Sequence, residues 1–199
     1  MRLDHGDLMV EIGRGAEAVI TREGDTVTKW RRPKGYRLPA LDGKIRRERT
    51  VMEARIISEA RRCGVPTPVV LDVTRFELTM EYIEGAKLKD VIDLDLSRRL
   101  GELVGRLHGC GIIHGDLTTS NMILKGDRLY LIDFGLASHD QSIEAQGVDL
   151  HVFFQTVKST QDRHESLAEA FKEGYTSTYA QAGVVLKRVE EIEARGRYL

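Results

Sequence analysis

An α+β protein of two lobes, the first rich in strands and the second helical, is what this sequence of 199 residues predicts. Three observations predict it. Short alternating apolar runs with turn signals fill the beginning of the chain. Apolar residues at helical spacing dominate the later part, and the breaker segment "EGAKL" divides the two patterns. The expectation is one minimal domain over 1–199, with a first lobe at 1–83 and a second at 84–199.

The first lobe opens with "LMVEIG" and "AVITREGDTVTKW", strands whose "REGD" reads as a turn. "RRPKGYRLPALDGK" is loop-like, rich in Pro, Gly and charge. A helix is predicted over Lys44–Cys63 because Ile45, Met52, Ile56 and Ala60 recur at helical spacing, and Gly64, Pro66 and Pro68 end it. "PVVLDV" and "FELTMEYI" read as two further strands. In the second lobe Leu96, Leu100, Leu103, Val104 and Leu107 share one helix face before Gly109 and Gly111. "NMIL", the "KGDR" turn and "LYLIDF" form a hairpin. "VDLHVFFQTV", Glu165–Tyr175 and Val184–Ala194 read as helices, and no internal repeat is present.

Bulk properties narrow the function classes. An apolar share of 41% with 31% charged residues is that of a soluble protein. No apolar run reaches membrane-span length, and the beginning of the sequence has no secretory pattern, so no membrane partner is expected. Cys63 and Cys110 are too few and too far apart for a disulfide scaffold or zinc ribbon, which points to a reducing cytoplasm. The net charge of −1 conceals a segment, Thr28 to Arg62, with twelve Lys/Arg against four Asp/Glu. Such a run is either a solvated helix face or a docking surface for an acidic partner or nucleic acid, with Arg46, Arg47 and Arg49 among its charges. His5, His108, His139, His151 and His164 show no ligand spacing and read as surface or loop positions, while His114 is placed to brace a loop.

That loop is "IIHGDLTTSNMIL", which sets His114, Asp116 and Asn121 between two apolar runs. Taken alone it could be a polar turn. Phosphoryl transfer, however, needs a phosphate cradle, a lysine, metal ligands and a group that orients the attacking hydroxyl, and the chain offers each in order. Gly13 and Gly15 in "GRGAEAV" would let the backbone approach phosphates. Lys29 closes the following strand. Glu53 would hold that lysine; Glu48 and Glu59 are its rivals, but only Glu53 lies beside the Met52/Ile56 stripe. In "LIDFG", Asp133 is an anionic side chain with no evident structural purpose. With the amide of Asn121 it could hold magnesium, which takes few protein oxygens beside phosphates and water. Asp116 would then accept the substrate proton.

"HGDLTTSN" and "DFG" resemble the catalytic loop and metal motif of the protein-kinase superfamily. With "GRGAEA", "KGYRLPALD" and "RRERTVMEARII", nearly the whole chain resembles the small archaeal-type kinases of the KEOPS complex, which takes part in threonylcarbamoyladenosine modification of tRNA. The resemblance implies a protein-kinase-like fold, ATP and magnesium, and both Ser/Thr-type protein kinase and ATP hydrolase activity. It implies Asp116 and Lys29 as catalytic residues, and Gly13, Gly15, Lys29, Glu53, Glu81, Ile83, Asn121 and Asp133 as nucleotide-binding ones. It also implies a threonylcarbamoyltransferase subunit and other KEOPS subunits as partners, tRNA contact through the complex, and a cytoplasmic location. Asp149 matches the buried aspartate that supports the catalytic loop in kinases.

The departures are specific. Ala18 stands for the third loop glycine, Gly115 replaces the arginine before the catalytic aspartate, and no Ala-Pro-Glu motif follows "DFGLAS". Only 66 residues follow Asp133, which leaves little room for a peptide platform. Aminoglycoside and choline kinases also use "HGD" followed by Asn, but their substrate-binding insertions need more chain. A non-catalytic scaffold would not need Lys29, Glu53, Asp116, Asn121 and Asp133 together.

Overall fold

The computed structural model describes residues 9–196; His5, the leucine that opens "LMVEIG" and the end of "ARGRYL" lie outside the described residues. The chain divides into two compact units. The first comprises the described residues through Ser58 with Pro68–Ile83, and the second Glu59–Thr67 with the remainder from Glu84.

The first unit is built on an antiparallel sheet of β1 (Val10–Arg14), β2 (Ala18–Glu23), β3 (Thr26–Arg31), β4 (Val70–Val73) and β5 (Glu77–Glu81), in the order β1-β2-β3-β5-β4. The expected turn falls at Gly24, whose φ of 55° only glycine adopts readily, and Glu23 faces Thr26 across it. The long helix α1 runs Pro39–Arg62, five residues longer at its start than the periodicity suggests. Proline fits the first turn because its missing N–H would be unpaired there, and Asp42 meets the positive end of the helix dipole. The end is as expected: Gly64 (φ 78°) takes a left-handed conformation and Val65 N donates to Ala60 O at 3.1 Å.

One expectation about α1 needs correcting. Met52 is 46% exposed, and the buried stripe is Thr50, Glu53, Ala54, Ile56, Ile57 and Ala60. A face read from Met52 and Ile56 is therefore rotated from the true one by part of a turn. The exposed side carries Lys44, Arg47, Val51, Met52 and Arg55.

The second unit contains β6 (Ala86–Lys87), α2 (Leu88–Val91), α3 (Leu94–Gly109), β7 (Ile112–Ile113), β8 (Met122–Lys125), β9 (Arg128–Leu131), β10 (Ser138–His139), α4 (Ile143–Thr160), α5 (His164–Thr178) and α6 (Ala182–Gly196). Asp93 caps α3 by accepting from Leu96 N at 2.8 Å, and the five apolar residues read from the sequence are all buried. α3 approaches α5 closely: a Cβ at Gly101 would lie 2.1 Å from Phe171 O, and one at Gly174 would lie 1.8 Å from Arg98 O. The β8–β9 hairpin has the expected register, Met122 opposite Leu131 and Lys125 opposite Arg128. α4 starts earlier than expected because Ser142 caps it, accepting from Ala145 N at 3.2 Å.

Cys63 and Cys110 form a disulfide, although 47 residues separate them. Distance along the chain is a poor guide here, since each cysteine ends a helix beside a left-handed glycine, Gly64 or Gly111. The bond is a single staple and not a scaffold, and the cysteines therefore give no ground for a reducing compartment. No helix among the described residues is long and apolar enough to cross a membrane.

Candidate active site

In the first unit the candidate residues meet on the buried face of the sheet. Lys29 and Arg31 alternate onto the same side of β3 and are 8% and 4% exposed. Glu53 on α1 is 2% exposed, and its Oε1 accepts from Lys29 Nζ at 2.7 Å. Glu48 is exposed on α1, and Glu59 belongs to the second unit, where its Oε2 meets His139 Nε2 at 2.5 Å. Glu53 Oε2 also accepts from Arg31 Nη2. Arg31 is a site residue the motif reading missed; its place two residues after Lys29 on an alternating strand was the available signal.

Gly13 lies in β1 and Gly15 in the turn to β2, where Gly15 N donates to Ala18 O at 2.9 Å. An added Cβ at either would meet nothing nearer than 3.7 Å. Internal packing thus does not demand glycine at these positions. Glu81 ends β5, its N–H donating to Val69 O at 2.9 Å, and Ile83 follows, buried.

In the second unit the loop after β7 holds Asp116 and Asn121 together. Asn121 Nδ2 donates to Asp116 Oδ2 at 2.8 Å and to Asp116 O at 3.0 Å. The turn Thr119–Asn121 supplies this geometry, with Asn121 N donating to Thr118 O. The amide nitrogen is thereby engaged, so the amide oxygen is the atom Asn121 offers to a cation. Ile132 N donates to Asn121 O at 2.9 Å, and the chain then turns sharply at Asp133. Asp133 has φ 59°, the sole positive value for a non-glycine among the described residues. Such a conformation is costly and collects at functional sites.

His114 and Asp149 brace this loop. His114 Nδ1 accepts from Asp116 N at 3.4 Å, and Nε2 donates to Ile132 O at 3.1 Å, so one ring spans the loop and the strand end before Asp133. Burial pushes the His114 imidazole below the usual histidine range; Asp149, the Ile132 carbonyl, Asp133 and Asp116 pull the other way without overcoming it. The neutral ring, with one donor and one acceptor, is the form these bonds need. Asp149, 1% exposed, accepts from His114 N and Gly115 N, each at 2.9 Å. Burial alone would raise its carboxyl, but the hydrogen bond and charge of His108, with His114, hold it below the usual range.

His108 is a correction, since it is neither surface nor loop. It lies buried in α3, with Nε2 3.2 Å from Asp149 Oδ2 and Nδ1 2.9 Å from Tyr175 OH. Gly115 has a different reason for being glycine than a lost arginine: φ is 81°, and a Cβ there would lie 2.3 Å from Leu136 O. Among the described residues no group of three or more His, Cys, Asp or Glu could hold a metal alone. Magnesium needs only one or two protein oxygens beside phosphates, so Asn121 and Asp133 fit that donor chemistry.

The sequence and the fold of this chain are similar to those of known proteins. The model of the RIO domain family matches residues 40–166. A probable bifunctional tRNA threonylcarbamoyladenosine biosynthesis protein of Methanosarcina acetivorans is 57% identical over 94% of this chain, and the chain spans 35% of its length. The chain thus spans about a third of the length of the bifunctional relatives it matches. A probable serine/threonine-protein kinase Bud32 homolog of Archaeoglobus fulgidus is 48% identical, covering 93% of this chain and 94% of its own. Among solved structures, a Rio2 kinase–ADP/Mg2+-phosphoaspartate complex from Chaetomium thermophilum has a TM-score of 0.64 at 15% identity, covering 98% of this chain and 71% of that one. An amicoumacin kinase reaches 0.69 at 12% identity, covering 91% and 77%. At such identities these two establish the protein-kinase-like fold alone. The matched RIO domain, together with a relative at 48% identity of which the chain covers 94%, shows that this chain belongs to the RIO-domain family of atypical kinases, alongside the Bud32 homolog of Archaeoglobus fulgidus.

Proposed function

We propose that the protein is an ATP-dependent Ser/Thr-type atypical protein kinase and ATP hydrolase acting in the cytoplasm as part of a KEOPS complex, in support of threonylcarbamoyladenosine modification of tRNA. The observation that carries the chemistry is the Asn121–Asp116 hydrogen bond of 2.8 Å. It holds a base and an amide oxygen at fixed separation on a loop braced from below by Asp149. In this reading Asp116 accepts the proton of the attacking hydroxyl or water. Lys29, held in place by Glu53, holds the nucleotide phosphates, and Gly13 and Gly15 let the backbone close on them. Glu81 and Ile83, at the end of β5, are assigned to nucleotide binding as well. Asn121 and Asp133 hold magnesium, whose charge offsets that of the phosphates.

The biological setting is supported by the relatives, which are probable bifunctional tRNA threonylcarbamoyladenosine biosynthesis proteins and a probable Bud32 kinase homolog. Its direct partners are then the threonylcarbamoyltransferase subunit and the other KEOPS subunits, with tRNA reached through the complex. The test is steady-state ATP hydrolysis by the chain alone, with its threonylcarbamoyltransferase partner, and with tRNA added. Slow magnesium-dependent turnover alone that changes when partner and tRNA are added is the expected result. Unchanged turnover beside brisk phosphorylation of generic peptides would point to a conventional protein kinase, and brisk phosphorylation of an aminoglycoside to a small-molecule kinase.

A further inference from the structure

The buried pair of Lys29 and Glu53 is the centre of a longer chain of charges. Glu53 has two oxygens: Oε1 accepts from Lys29, and Oε2 accepts from Arg31. Arg31 Nη1 lies 3.8 Å from Glu17 Oε2, and Arg49 Nη1 donates to that same Glu17 oxygen. Arg49 sits one turn before Glu53 on α1, so the series Lys29, Glu53, Arg31, Glu17, Arg49 begins on β3 and closes on the helix that carries Glu53. Glu17 also joins the backbone of the sheet, because Arg32 N donates to Glu17 O at 2.9 Å. It stands two residues after Gly15, at the end of the glycine turn.

Each link has a physical reason. Lys29 alone would leave the second oxygen of a carboxylate at 2% exposure poorly satisfied, which is costly. Arg31 satisfies it with a group that cannot deprotonate. It also keeps Glu53 in place when the lysine divides its attention between the carboxylate and a phosphate. Without Arg31, Glu53 must draw Lys29 closer or turn away, and both move the ammonium. Glu17 is an anion beside a loop expected to face phosphates. Burial would raise its carboxyl, but the Arg49 hydrogen bond and the charges of Arg49, Arg31 and Lys34 lower it, so it stays ionised and neutralised from within.

We propose that Arg31 is a positioning residue for Lys29, acting through Glu53, and that Glu17 links the glycine turn to α1 through Arg31 and Arg49, so that loop and helix are set together. This inference rests on the nucleotide reading above. The test is calorimetric titration of Mg–ATP and of adenosine, which lacks the phosphates, into the full chain and its variants Lys29→Ala, Arg31→Leu, Arg31→Lys and Glu17→Gln, with thermal midpoints recorded alongside. Arg31→Leu is expected to weaken Mg–ATP by about tenfold or more while adenosine affinity holds. Arg31→Lys, which keeps one charged donor, should recover part of the loss. Glu17→Gln should lose less than Arg31→Leu, and again only toward Mg–ATP. Equal loss of ATP and adenosine in Arg31→Leu, with no recovery in Arg31→Lys, would mean a purely structural role and overturn the proposal. So would unchanged affinities in Arg31→Leu while Lys29→Ala loses ATP, which leaves the nucleotide reading intact. Failure of the unaltered protein to bind Mg–ATP would overturn the nucleotide reading itself and this inference with it.

Discussion

Asp116 and Asp133 are both carboxylates of the second unit, yet their surroundings divide their work. Asp116 is half-buried and tied to Asn121 through its own side chain, and its backbone N–H is held by His114. Asp133 is exposed, with φ 59°, and its carboxylate approaches Gly135 N at 3.4 Å. In the proposed reading the first, fixed by the loop, is the proton acceptor, and the second, held out by a left-handed backbone, is the metal ligand. Asp133→Ala should therefore lose magnesium-dependent nucleotide affinity together with turnover. Asp116→Ala should keep affinity within about threefold and lose about a hundredfold or more in the chemical step. Nucleotide titrations with and without magnesium, beside single-turnover rates, measure both. Equal loss of binding in the two variants would sink this division.

At the scale of elements, α1 and α3 both end at cysteines, and the Cys63–Cys110 disulfide staples those ends. Ile112 lies two residues after Cys110 and the Asp116–Asn121 loop follows β7, so the staple anchors the base of that loop. A cross-link spanning 47 residues restricts the unfolded chain, and the loop-entropy relation puts its contribution at about 4 kcal/mol. Reduction is expected to lower the urea midpoint of the protein markedly. The variant with Cys63→Ser and Cys110→Ser should show the lowered midpoint without reductant and no further response to it. A midpoint indifferent to reductant would show that the thiols are not bonded in solution. Sequence reasoning could not find this pair, because it weighed separation along the chain, whereas two glycine-terminated helices decide the separation in space. The face of α1 was misjudged for a related reason. Met52 is apolar and periodic, but the helix buries Thr50 and Glu53 instead, since charged partners on β3 repay the burial of Glu53. Glu53 is nonetheless the glutamate that pairs with Lys29.

On the scale of the whole molecule, what was legible was local. "HGDLTTSN" and "DFG" keep their polar residues within a few positions, so the loop could be singled out by its residues and assigned by resemblance to the kinase superfamily. The bracing behind it could not: Asp149 takes a hydrogen-bond partner from α3 and that partner takes Tyr175 from α5, joining His108, Asp149 and Tyr175 across three helices. The basic run shows the same limit, because counting charges does not reveal which are already spent. Lys29 and Arg31 are buried in ion pairs, Arg46 donates to Asp42 at 2.7 Å and stacks on Phe76, and Arg49 is bound to Glu17. Arg47 remains on the exposed face of α1, in a shallow groove with Val51, Met52, Arg55, Arg75 and Lys44, whose Nζ lies 3.9 Å from Glu48 Oε1. If tRNA or an acidic partner docks on this face, it meets few cations. Each phosphate neutralised contributes a slope of about −0.7 to −0.9 in the logarithmic dependence of affinity on salt, so about three contacts give a slope near −2 to −3. The tRNA-dependent part of ATP hydrolysis should follow that modest slope and not the steep one that a charge balance of +8 suggests. Lys44→Glu with Arg47→Glu should remove the tRNA-dependent part and leave basal hydrolysis within about twofold. Arg49→Glu should lower basal hydrolysis instead, because it breaks the link to Glu17. Hydrolysis measured across a salt series, with and without tRNA, separates these outcomes. A tRNA response untouched by salt and by the Lys44 and Arg47 reversals would remove α1 as the docking face.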